Sequence, residues 1–123
     1  MPYGIFIDRS DGNTIIGNYI GTNISLGNAG NSQSGVRVAG VGADSNSIRN
    51  NLIAFNDVNG VRIDGGQQNT LTGNKIFGNN AAGIFLASGV NNNAESPVLT
   101  EVTATNVTGT LNGASPSSPY TVE

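Results

Sequence analysis

The chain has no cysteine, histidine or tryptophan, and only 11% of its residues are charged. Without cysteine there are no disulfides or thiolate-held metals, and without histidine the Cys/His zinc sites are excluded too. Mechanisms built on a histidine base or a cysteine nucleophile go with them. Five basic residues against eight acidic ones give a net charge of -3, so the electrostatic footprint of a nucleic-acid binder is missing. Long apolar runs are also missing. The most apolar stretch, Ala81 to Val90, contains two glycines and falls well short of the roughly 20 residues that span a bilayer. The absence of cysteine does not fix the compartment. No basic, apolar leader opens the chain, and a strand-like pattern starts almost at once.

What is abundant is small and polar: 18 Gly and 19 Asn among 123 residues. Such a composition invites a reading of disorder, but 37% of the residues are apolar, and their regular placement argues for a packed core. The length suits a single domain.

The regularity is a repeat. Gly4-Ile5-Phe6-Ile7-Asp8 returns as Gly35-Val36-Arg37-Val38-Ala39, as Gly60-Val61-Arg62-Ile63-Asp64 and as Gly83-Ile84-Phe85-Leu86-Ala87, at steps of 31, 25 and 23 residues. Asn13-Thr14-Ile15-Ile16-Gly17-Asn18-Tyr19-Ile20 returns as Asn46-Ser47-Ile48-Arg49-Asn50-Asn51-Leu52-Ile53 and as Asn69-Thr70-Leu71-Thr72-Gly73-Asn74-Lys75-Ile76. Three residues after the last Ile of each copy stands a further Asn: Asn23, Asn56 and Asn79. Each apolar stretch is short, alternating, rich in β-branched residues and bounded by Gly or Asn, so it predicts a strand. No stretch sustains a helical period.

Two or three short strands per copy of this length match one coil of a parallel β-helix, in which equivalent residues stack about 4.8 Å apart. Four inward stacks are expected: Ile5, Val36, Val61, Ile84; Ile7, Val38, Ile63, Leu86; Ile15, Ile48, Leu71; and Ile20, Ile53, Ile76. The asparagines follow from the same geometry. A tight bend leaves backbone groups unpaired, and a stacked amide can satisfy both them and its neighbour. Asn13, Asn46, Asn69 and Asn18, Asn51, Asn74 are therefore expected to form structural ladders, and no ligand role is assigned to them.

Asn-Thr-Ile-x-Gly-Asn-x-Ile followed by Gly-Ile/Val-x-Ile resembles the right-handed parallel β-helix repeat proteins of the pectate-lyase-like superfamily. The resemblance spans residues 4 to about 93, and the spacer Gly21 to Asn28 looks like the longer loop of secreted or surface members. It implies an all-β fold: a short right-handed parallel β-helix of about three coils with a C-terminal β-strand tail. It implies an extracellular or cell-surface parent protein, but no single activity, because the family holds lyases, hydrolases, epimerases and adhesins.

The expected organisation is β-helix repeats over residues 1–93 and a β-strand tail, or the start of a following β-element, over 94–123. Pro97 to Leu111 is rich in Thr and Val and has strand propensity. A turn-rich stretch separates it from Tyr120-Thr121-Val122-Glu123. Both ends look cut from something longer. Open coil ends expose strand edges, so a homo-oligomer through those ends or through the tail is expected, or a tail folded over the last coil.

The candidate binding surface is the outward row Phe6, Arg37, Arg62 and Phe85. Aromatic rings and guanidiniums in one row suit an acidic polysaccharide, through stacking and bidentate contacts to carboxylates. The competing expectation is an exterior ladder in which Arg stacks on Phe and stabilises the sheet. Asp8 and Asp64 occupy equivalent places after the first strand of their coils, about 9.6 Å apart at two coil spacings, a separation that an inverting glycosidase pair also uses. No third Asp joins them, and Asp64-Gly65 is ordinary turn chemistry.

Measured against the resemblance, the polygalacturonase pattern of Asn-Thr-Asp, paired Asp and Gly-His-Gly is lacking. A pectate-lyase arrangement would need Arg37 or Arg62 as a base beside calcium-binding acids, and only Asp8 and Asp64 lie near. Thr14, Ser47 and Thr70 do not form a regular flat threonine array of the ice-binding kind. No catalytic residue, metal ligand or cofactor is assigned. The expected function is a non-catalytic structural or interaction module, with polysaccharide binding or processing as the alternative.

Overall fold

The computed structural model describes residues 2–91 in full, together with the backbone of two later strands, residues 98–102 and 107–110. Ten short strands make three parallel sheets. The first contains β1 (Ile5–Asp8), β4 (Val36–Ala39), β7 (Val61–Ile63) and β10 (Ile84–Leu86) in that order. The second contains β2 (Thr14–Ile16), β5 (Ser47–Arg49) and β8 (Thr70–Thr72), and the third β3 (Tyr19–Ile20), β6 (Leu52–Ala54) and β9 (Lys75–Phe77). Strands adjacent in a sheet belong to successive coils, so the chain winds as about three coils of a β-helix. In the tail, β11 (Val98–Val102) and β12 (Val107–Thr110) pair antiparallel, matching the strand propensity of that stretch. The expected strand at Tyr120 to Glu123 lies outside the described residues.

All four inward stacks form in the expected register. Ile5 pairs with Val36, Val36 with Val61 and Ile84 with Val61, while Ile7, Val38, Ile63 and Leu86 make the row beside them. Ile15, Ile48 and Leu71 stack in the second sheet, and Ile20, Ile53 and Ile76 in the third. Val36, Val38, Ile48, Ile53, Val61 and Ile63 are completely buried, each contributing roughly 1.5–3 kcal/mol of transfer free energy. The strand-opening glycines stand where coils approach closely. A Cβ on Gly35 would lie 2.8 Å from the Gly60 carbonyl oxygen and 2.8 Å from Ile53 Cγ2, so a side chain there would push the coils apart.

The two predicted ladders are present, and the first is longer than expected. Asn46 Oδ1 accepts from Asn13 N at 2.8 Å and from Asn13 Nδ2 at 2.9 Å. Asn69 Oδ1 accepts from the same two groups of Asn46, both at 3.0 Å. Asn91 extends the row, its Nδ2 donating to the Asn69 carbonyl at 2.9 Å. In the second ladder Asn51 Oδ1 accepts from Asn18 N at 2.9 Å, and Asn74 Oδ1 from Asn51 Nδ2 at 3.0 Å. These amides also reach inward carbonyls, as Asn51 Nδ2 does to Ile15 O at 3.0 Å. Among the described residues no buried side-chain polar atom lacks a partner.

A third ladder runs through Asn31, Asn56 and Asn79. Its first rung is Asn31, not the Asn23 that stands three residues after Ile20. The reason is an insertion. Rungs of the first two ladders are 33 residues apart between coils one and two, those of the third only 25, and all are 23 apart between coils two and three. Eight extra residues therefore sit in the first coil between Ile20 and Asn31, and two in the bend after β4. Asn23 organises the first insertion: its Oδ1 accepts from Ser25 N and Gly27 N, both at 2.9 Å. Thr22 and Asn28 bridge across the base of that loop.

Candidate functional site

Alternation along the strands turns Phe6, Arg37, Arg62 and Phe85 outward, and the register places Phe6 beside Arg37, Arg37 beside Arg62, and Arg62 beside Phe85. The structure thus brings the predicted stripe together as one row crossing all three coils. Each guanidinium lies over a ring of the neighbouring coil. The Arg37 Cζ is 5.4 Å from the Phe6 centroid, and that of Arg62 is 4.9 Å from Phe85.

Two residues outside the predicted stripe decide its chemistry. Asp64, two residues beyond Arg62, faces the same side of the sheet and accepts from Arg62 Nε at 2.8 Å and from Arg37 Nε at 2.8 Å. Tyr3 packs against Phe6 with ring centroids 5.3 Å apart, and its hydroxyl accepts from Arg37 Nη1 at 2.7 Å. The Asp64 side chain is only 15% exposed. Burial acts to lower the Arg37 pKa, but hydrogen bonds to Asp64 and Tyr3 outweigh it and raise the pKa above the ordinary arginine value. A base for β-elimination needs the opposite shift, so this site holds Arg37 as a cation.

Asp64 was visible in the sequence as a turn residue and as one half of a carboxylate pair, but its position between two arginines was not. Asp8 stands in the equivalent place on β1 and, among the described residues, has an ion pair with Arg9 alone, at 3.9 Å. The two carboxylates therefore differ: one is shared by two guanidiniums, and the other is half-exposed beside a solvated arginine. Among the described residues no group of three or more acidic side chains is placed to hold a metal ion.

A second surface feature lies where the second sheet bends into the third. Gly17, Asn50 and Gly73 hold this bend with φ of 70°, 55° and 67°. They floor a shallow groove of about 260 Å³, walled on one side by Tyr19, Leu52 and Lys75. Nothing in the sequence patterning marked it, because its floor residues read only as turn formers.

A family model described as "right handed beta helix region" matches residues 1–111, and the chain belongs to that family. The match fixes the handedness of the coils and runs past residue 93 into the stretch that contains β11 and β12. No curated protein and no solved structure matches the chain.

Proposed function

We propose that this chain is a non-catalytic structural or interaction module of a secreted or cell-surface β-helix protein, and that it self-associates. The observation that carries the reading is the closure of the Phe6–Arg37–Arg62–Phe85 row upon itself. Each guanidinium already has a carboxylate partner in Asp64 and a ring beneath it. An acidic polysaccharide binding along this face would have to displace Asp64, trading one carboxylate contact for another. The row therefore favours sheet stabilisation over recognition.

Titration calorimetry with oligogalacturonate and oligomannuronate tests this, with and without Arg37→Ala and Arg62→Ala. The expected result is no saturable binding at the row and no unsaturated or shortened product. Saturable binding abolished by either substitution, or product formation, would overturn the reading in favour of polysaccharide binding or processing.

A further inference from the structure

The inserted loop of the first coil has a closed base of its own. Thr22 and Asn28 bridge across it, and Ala29 N donates to the Gly21 carbonyl at 3.0 Å. The loop therefore stands off the coil, and the third ladder resumes beyond it at Asn31. An insertion that one repeat carries and its neighbours lack is a place where a repeat scaffold gains function. This one contains Asn23-Ile24-Ser25, the residue order of an N-linked glycan acceptor, with no proline at Ile24. The same order recurs at Asn106-Val107-Thr108, whose asparagine lies outside the described residues. In a chain with 19 Asn such an order arises readily by chance, so the geometry around Asn23 has to carry the argument.

Asn23, Ile24 and Ser25 are all exposed, Ile24 at 81%. Leu26 N donates to the Asn23 carbonyl at 2.9 Å, which closes a tight turn over the three residues. Within that turn Asn23 Oδ1 is held by Ser25 N and Gly27 N. The oxygen side of the amide is thus anchored to the backbone, as in an Asx-turn. The nitrogen side is free: Nδ2 has no hydrogen-bond partner among the described residues, and neither has the Ser25 hydroxyl. The ladder asparagines differ on this point. Asn51, Asn74 and Asn79 each donate Nδ2 to an inward carbonyl, at 3.0, 2.8 and 3.2 Å. Gly27 keeps the approach to Asn23 clear, since a Cβ there would lie 2.9 Å from Nδ2.

We propose that Asn23 is an N-glycan acceptor, taking an oligosaccharide from a polyprenyl-pyrophosphate donor at a membrane oligosaccharyltransferase. The bond from Asn23 Nδ2 to the anomeric carbon of the sugar forms as the bond from that carbon to the pyrophosphate oxygen breaks. The electron pair leaves with the polyprenyl pyrophosphate, and Nδ2 gives up one of its two protons to the transferase. The proposal rests on the secreted or cell-surface part of the functional reading, because such donors serve exported chains. The glycan stands beside Ile24 and Leu26, the exposed apolar residues of the loop, and shields them from other chains.

The folded full chain, incubated with a purified oligosaccharyltransferase and its lipid-linked oligosaccharide, tests this by intact mass and glycopeptide sequencing. The expected result is one glycan on Asn23, lost with Asn23→Gln. Ser25→Ala is the decisive variant. It removes the hydroxyl of the acceptor but keeps the Ser25 N–H that anchors Asn23, so the melting temperature should not move while transfer to Asn23 is lost. Ser25→Thr, which keeps a hydroxyl, should restore transfer. A folded wild type that takes no glycan at Asn23, a glycan at Asn106 alone, or transfer to Asn23 unchanged by Ser25→Ala would overturn the proposal. The reaction runs outside the cell, so its failure leaves the export reading standing. That reading is checked separately, by locating the protein in the secreted or surface fraction of its own cells.

Discussion

Arg37 and Arg62 stand side by side on neighbouring strands and both direct Nε to the carboxylate of Asp64 at 2.8 Å. Two like charges in register would repel. The shared anion, together with the rings of Phe6 and Phe85, turns that liability into a closed row.

Replacing Asp64 by Asn is expected to destabilise the protein by about 1–2 kcal/mol, since it leaves two adjacent cations without their anion. The loss should shrink at high salt, because Arg37 and Arg62 are partly exposed and their repulsion is screened. Urea unfolding at low and high ionic strength measures both effects. Because the Arg37 pKa is raised, its contribution is fully present below the unfolded-state arginine value and is lost only as pH rises through the higher folded value. The Arg37 contribution is thus constant across the neutral range.

The ladders are expected to matter more per residue than any surface contact. Asn51→Ala removes the acceptor for Asn18 N and the donor to Ile15 O and Asn74 Oδ1. Stranding buried groups in this way costs about 2–3 kcal/mol, a fall in Tm of roughly 8–20 °C at this domain size. Asn80→Ala, at an exposed position, should change stability by less than about 0.5 kcal/mol. Differential scanning calorimetry of the pair separates rung from surface asparagine.

Gly12 and Gly66 both hold positive φ, 66° and 81°, yet their substitution by Ala should differ widely. A Cβ on Gly12 meets nothing within 4 Å, leaving only the left-handed penalty of about 1–2 kcal/mol. On Gly66 it would overlap the Ala43 carbonyl of the preceding coil, costing about 3 kcal/mol or more. Denaturant midpoints of the two variants check the order.

Deleting residues 22–29 removes the inserted loop and leaves Ile20 three residues before Asn31, the spacing of Ile53 and Asn56. The third ladder should survive, and stability should change by less than about 1 kcal/mol, since surface loops tolerate length changes well. A cooperative melt within a few degrees of the wild type is the expected result. Loss of cooperative melting would show that the Asn23-organised loop supports the first coil.

The sequence alone determined the strands, their register and two of the ladders. The reason is physical: in a parallel in-register coil every position meets its own equivalent, so a repeat in residue type is directly a list of contacts. Val36 on Val61 and Asn46 on Asn69 could be read without any coordinates. Only the tertiary structure decided contacts that leave the register. Asn31 displaces Asn23 as a rung because an inserted loop moves the chain along without moving the coil. Tyr3 and Asp64 reach Arg37 diagonally, from positions that no repeat aligns with it. The groove beneath Tyr19 exists because three small or left-handed bend residues stack, a cavity made from what side chains leave empty. Repetition writes the scaffold into the sequence, whereas the surface is set by the places where the repetition breaks.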